Sequence, residues 1–203
     1  MFKYNNNKII AIGDIHGDYY IFIKLLKLAN VINDNLKWCG NDTFVIQLGD
    51  TLDGVRPGIK IEKTFLETTG EIEITNLYNV SRFKYYKPGS GDWAKLFGRT
   101  RPLIIQLGKF IFCHGSLNEE FLKLCINNKL TKDKYVDINK LNKIVSDWLI
   151  GNTNKIPFFV NANENVNPLF NRDLTNPKSL APKKCAKLVD SILKYFKNAE
   201  YLV

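Results

Sequence analysis

The sequence predicts an α/β fold, on three observations. Apolar runs end at glycine three times, at 9–13, 43–49 and 109–115. Apolar residues recur at helical spacing at 18–29, 118–128, 138–150 and 182–197. Two of the apolar runs end in the same dipeptide, Gly13-Asp14 and Gly49-Asp50, as parallel neighbours with converging carboxyl ends would.

The first strand is expected over 8–12, stopping at Gly13. Asp14 and His16 follow, with Asp18 just beyond. Side chains two apart on extended chain point the same way. A carboxylate and an imidazole so placed suit a hard or borderline metal ion. Gly13 and Gly17 allow the turn and leave room for a ligand. A plain loop closed by Asp18 as helix N-cap would account for Asp18. It would not account for His16 between residues that turn so freely.

Residues 18–29 read as an amphipathic helix. Tyr20, Phe22, Ile23, Leu25, Leu26 and Leu28 are its apolar positions, and Lys24 and Lys27 its wet edge. Turns are expected at 33–35 and 40–42. The second strand then delivers Asp50, with Asp53 three residues on. Residues 54–69 read as a loop over the site mouth. Arg56 in that loop has two readings, a planar fork for phosphate or a solvated side chain.

A short amphipathic stretch at 93–102 precedes two strands, 103–107 and 109–113, across a tight turn at Gly108. That hairpin delivers His114. The chain has two histidines, His16 and His114, and each stands at a strand end before a glycine. Helices follow at 118–128, with Phe121, Leu122, Leu124 and Cys125, and at 138–150, with Leu141, Ile144, Val145, Trp148 and Leu149 on one face. These positions are core by default. Residues 151–181 are rich in Asn and Pro and read as irregular and substrate-facing. Residues 182–197 form a helix with Pro182 in its first turn. Ala186, Leu188, Val189, Ile192, Leu193 and Phe196 line its inner side. An apolar strand starts at Tyr201.

A chain of 203 residues can bury the core of one α/β domain, 1–203. The N-terminal residues are too polar for a signal peptide, and no apolar run approaches the ~18 residues of a membrane span. The four cysteines form no C-x-x-C pair, so reduced core thiols and an intracellular, cytoplasmic location are expected. The net charge of +9 attracts acidic partners. The lysines are nevertheless scattered among asparagines, with no arginine-rich stripe or aromatic-basic platform. That favours solvated surface over nucleic-acid binding.

The motifs Gly-Asp-Ile-His-Gly at 13–17, Gly-Asp-Thr-Leu-Asp at 49–53 and Cys-His-Gly at 113–115 resemble those of the calcineurin-like metallophosphoesterases. Their order is similar to the phosphoprotein-phosphatase branch, above all its Shewanella-like members. The stretch Asn-Pro-Leu-Phe-Asn-Arg-Asp at 167–173 adds to that resemblance. It implies a sandwich of two mixed β-sheets flanked by helices, holding two divalent metal ions, Mn²⁺ first, with Fe or Zn as alternatives. Asp14 and His16 would bind one ion, Asp50 both, and His114 the other. A water bridging the ions would attack a phosphate monoester, with phosphoserine or phosphothreonine in a protein as the family substrate. Arg172 is a phosphate contact by resemblance, or else a structural pair with Asp173 or another acid. Arg56 sits out of the family's register by an intervening Gly54-Val55.

The chain departs from the family pattern twice. No Gly-Asn-His-Glu or Gly-Asn-His-Asp tetrapeptide occurs, and the expected seam lies near 76–79. In the family that tetrapeptide supplies a metal ligand and the histidine acid that Asp53 would orient. No Gly-His-Thr follows the strand at 201–203 either. Two other functions therefore stay open: a catalytically impaired phosphatase-fold binding protein, and a phosphodiesterase of the same superfamily.

Overall fold

The computed structural model describes residues 7–51, 84–163, 165–174 and 181–203. Contacts divide the chain into two compact units, one holding described residues 7–51 and the other those from 84 onward.

In the first unit, β1 (Ile9–Ile12) and β2 (Phe44–Gln47) pair in parallel, with Ile9 opposite Phe44 and Ile12 opposite Gln47. The β-branched run Ile9-Ile10 and the apolar run Phe44-Val45-Ile46 suit this pairing. Both strands therefore end side by side, as the repeated Gly-Asp dipeptide predicts. Helix α1 (Tyr19–Leu28) starts where the Asp18 carboxylate accepts from the Ile21 N–H at 2.9 Å. The N-cap reading of Asp18 is thus right. The expected apolar face of α1 is only partly covered. No α1 residue is fully buried, Leu28 stays 80% exposed, and Lys27 is half-buried and pairs with Asp34 at 3.0 Å. Lys24 is exposed, as expected.

Among the described residues of the second unit, α2 (Asp92–Thr100) packs against α4 (Ile138–Ile150). Strands β3 (Ile104–Leu107) and β4 (Phe110–Cys113) form the expected antiparallel hairpin, with Gly108 at φ 57° in its turn. Strand β7 (Tyr201–Leu202) adds to β4 in parallel, so this sheet is mixed. Helix α3 (Glu119–Asn127) is capped by Asn118, whose side chain accepts from the Phe121 N–H at 2.9 Å. The core gathers Ile104, Ile111, Leu117, Phe121, Leu141 and Ile192, with Phe121 edge-on to Phe159 at 5.7 Å. Leu141 is buried, and Ile144 and Val145 pack against this core.

Two details differ from expectation. A small hairpin, β5 (Thr131–Lys132) and β6 (Tyr135–Val136), interrupts the loop between α3 and α4. Its two-residue strands carry no apolar run to announce them. Helix α5 (Pro182–Leu193) ends sooner than 197, and Ala186 is exposed rather than inward. The Tyr195 carbonyl accepts from the Val136 N–H at 2.9 Å, and the chain closes there in shorter turns that keep Phe196 buried. The fold is thus mixed α/β with several sheets. No helix among the described residues is long and apolar enough to cross a membrane.

Candidate metal centre

The parallel pairing of β1 and β2 sets the first unit's site. The Leu48 N–H donates to the Ile12 carbonyl at 2.8 Å, carrying the pairing one step past the strands. The loops then lock together. His16 N–H donates to the Asp50 carbonyl at 2.7 Å, Ile15 N–H to the same oxygen at 3.3 Å, and Gly17 N–H to the Thr51 carbonyl at 2.8 Å.

These bonds hold two donor residues in unusual backbone shapes, His16 at φ 53° and Asp50 at φ 41°. Asp and His tolerate the left-handed region better than most residues, yet each such position costs on the order of 1 kcal/mol. Both positions at positive φ thus carry ligand-type side chains. Gly17, at φ 78°, lets the chain leave the turn toward α1 without such a cost.

Asp14, His16 and Asp50 each offer a donor atom, and those atoms lie within 4.8 Å of one another. His16 Nε2 stands 3.8 Å from Asp14 Oδ2 and 3.9 Å from Asp50 Oδ2. Those separations are too long for hydrogen bonds. They are close to the ~3–4 Å between two donors sharing one ion at ~2.1 Å bonds. All three residues are half-buried, so a ligand can reach them while solvent screening is reduced. Two carboxylates and one imidazole fit a divalent ion of mixed oxygen and nitrogen preference, such as Mn²⁺, Fe²⁺ or Zn²⁺.

The remaining candidates are placed less completely. Asp53 and Arg56 lie outside the described residues, as does the seam at 76–79. His114 belongs to the second unit, directly after β4, and is half-buried. Arg172 is in that unit too, and exposed. The chain ties these two stretches together. Gly115 N–H donates to the Pro168 carbonyl at 3.0 Å and Ser116 N–H to the Asn171 carbonyl at 2.9 Å. A Cβ on Gly115 would lie 2.4 Å from the Pro168 oxygen, so only glycine permits this approach.

Side chains reinforce the tie. The Asp173 carboxylate accepts from the Asn171 amide at 2.9 Å and from the Asn118 amide at 3.3 Å. Asn171 is buried and also donates to the Asn165 carbonyl. Asp173 is thus engaged by two asparagines, and Arg172, between clamped neighbours, is exposed. Sequence reasoning missed Asn118 altogether, because its partner is 55 residues away. It also missed Gln47 and Thr51, whose side chains meet at 2.7 Å beside the first site. A polar Gln47 closing an otherwise apolar strand was the available signal.

Cys113, adjoining His114, raises the question of a thiolate nucleophile. Burial pushes its thiol up to about 12, and the same cause pushes Cys125 up to about 12. Burial of this kind leaves both thiols protonated near neutral pH and disfavours a thiolate nucleophile. Alkylation of the native chain at pH 8, read by peptide mass spectrometry, is expected to label exposed Cys39 and spare Cys113 and Cys125 until unfolding. Rapid native labelling of Cys113 would contradict its burial.

Over 98% of its length the chain aligns, at 26% identity, with Shewanella-like protein phosphatase 1 of Plasmodium berghei (strain Anka). A further 54 residues align at 39% identity with Shewanella-like protein phosphatase 2 of Arabidopsis thaliana. The chain resembles the Shewanella-like protein phosphatases. It spans 60% of the length of the Plasmodium phosphatase and 14% of the Arabidopsis one. The Plasmodium alignment runs over 231 residues, so at least 28 (231 less 203) have no counterpart in this chain. No protein-family model and no solved structure matches the sequence.

Proposed function

We propose that this chain is a metal-dependent phosphatase acting on phosphate monoesters, with phosphoserine and phosphothreonine in proteins as its substrate class. The observation that carries the reading is the Asp14–His16–Asp50 cluster at the ends of two parallel strands. The resemblance to named protein phosphatases supports it. In this reading 1–203 works as one phosphatase domain of the calcineurin-like sandwich type, inside the cell.

Asp14, His16 and Asp50 would hold a divalent ion, and by resemblance His114 would be a ligand for a second. Bound ions of this kind polarise phosphoryl oxygens and lower the pKa of water. The chain's own residues do the rest. The carboxylates fix the ions' places without rearranging, because the locked loops already hold them. Arg172, and Arg56 beyond the described residues, neutralise the phosphate's peripheral oxygens with planar, charge-assisted hydrogen bonds. Asp53 orients whatever donor protonates the leaving group.

A second reading has its own support. The chain lacks a Gly-Asn-His-Glu or Gly-Asn-His-Asp tetrapeptide and at least 28 positions of its relative. General acid catalysis is worth about 10²–10⁴-fold, and its loss would leave a phosphate-binding protein with little turnover. Turnover of p-nitrophenyl phosphate, bis-p-nitrophenyl phosphate and a phosphothreonine peptide, each with and without Mn²⁺, separates the readings. The phosphatase predicts Mn²⁺-dependent release from the monoester and the peptide. Preference for the diester would point to a phosphodiesterase. Phosphate binding without release from any substrate would establish the binding protein.

A further inference from the structure

Gln47 is the last residue of β2, and its amide lies against the two loops that carry the ligand carboxylates. The amide nitrogen donates to the Gly13 carbonyl at 3.4 Å and also to the Gly49 carbonyl. Those two carbonyls belong to the peptide units that lead directly into Asp14 and Asp50. The amide oxygen accepts from the Thr51 hydroxyl at 2.7 Å, on the other side of Asp50. One side chain thus touches the chain before both carboxylates and after one of them.

The chemistry of this spot selects glutamine. Two carbonyl oxygens need two N–H donors, and the Thr51 hydroxyl needs an acceptor in the same planar group. A carboxamide supplies both. A glutamate would turn oxygen toward oxygen, and a lysine would offer no acceptor. Ile46, one residue earlier, points to the opposite side and is 7% exposed, so the alternation of β2 places Gln47 on the loop side. The amide also acts where the backbone is strained, next to Asp50 at φ 41°.

We infer that Gln47, with Thr51, is a positioning residue that sets the two ligand peptides in their metal-binding geometry. The inference rests on the reading of Asp14, His16 and Asp50 as metal ligands. Gln47 does not touch the ion or substrate. It fixes the directions from which the two carboxylates approach, so that binding does not have to order them. Partners behind metal ligands are typically worth about 10- to 100-fold in metal affinity.

The test is calorimetric titration of Mn²⁺ into metal-stripped wild type, Gln47→Met, Thr51→Val and Thr51→Ser, with a thermal melt of each metal-free chain. The expected result is Mn²⁺ affinity weakened about 10-fold or more in Gln47→Met and Thr51→Val. Their metal-free melting midpoints should stay near wild type, and Thr51→Ser, which keeps the hydroxyl, should bind nearly as wild type. Wild-type affinity in both deletion variants would overturn the inference and leave the ligand reading standing. Affinity that falls only in step with the metal-free midpoint, Thr51→Ser included, would also overturn it, as a purely structural effect. A wild-type chain that binds no Mn²⁺ would remove the ligand reading and the inference together. If Gln47→Met does not fold, Thr51→Val decides alone on the same criteria.

Discussion

Asp50→Asn is expected to weaken Mn²⁺ binding by at least about 100-fold, because removing a ligand costs no less than removing its supporting partner. The argument is electrostatic and geometric. Asparagine keeps the shape and the backbone bonds that hold this turn, including the Asp50 carbonyl accepting from His16 N–H at 2.7 Å. It also tolerates the left-handed backbone at φ 41° as readily as aspartate. The fold therefore survives, and what disappears is one of two negative charges in a half-buried donor set. Turnover of p-nitrophenyl phosphate should fall with the metal. If calorimetry found the Mn²⁺ stoichiometry and affinity unchanged, Asp50 would not be a ligand.

Gly115→Ala is expected to destabilise the second unit by about 1–3 kcal/mol, the usual cost of forcing a methyl group into packed structure. The new Cβ would stand 2.4 Å from the Pro168 oxygen and 3.1 Å from the Asn171 oxygen, both backbone atoms. Backbone cannot swing aside as a flexible side chain does. The Gly115 N–H bond to Pro168 would break, and the strand carrying His114 would separate from the segment carrying Arg172. A lower melting midpoint and weaker competition by inorganic phosphate should appear together. An unchanged midpoint would mean the segment 165–174 yields freely, and its role in placing Arg172 would fall with that result.

Much of this was readable from the chain because local chemistry and tertiary structure agree there. Apolar runs bounded by glycine gave β1, β2 and the β3–β4 hairpin, and the twin Gly-Asp endings gave the parallel pairing. Asp14, His16 and Asp50 were recognisable because ligand-type residues sat where strands must end. The rest depends on partners far apart in sequence. Asn118 draws no notice in the sequence because its partner Asp173 lies 55 residues away. Gln47 reads as a strand's polar end until Gly13, 34 residues earlier, meets its amide. The β5–β6 hairpin escapes notice because Asp133, at φ 58°, makes a turn between strands too short for any periodicity.

The central claim is that the strand-end cluster binds a divalent ion through His16. With two histidines in the chain, proton NMR can test it directly, using His114→Gln to assign the two sets of ring signals. Substoichiometric Mn²⁺ added to the metal-stripped protein should broaden the His16 ring signals away by paramagnetic relaxation. His114 signals broadening at a similar or slightly higher concentration would support its proposed role as a ligand of a second ion. His16 signals that stay sharp with a full equivalent of Mn²⁺ would contradict the account at its base.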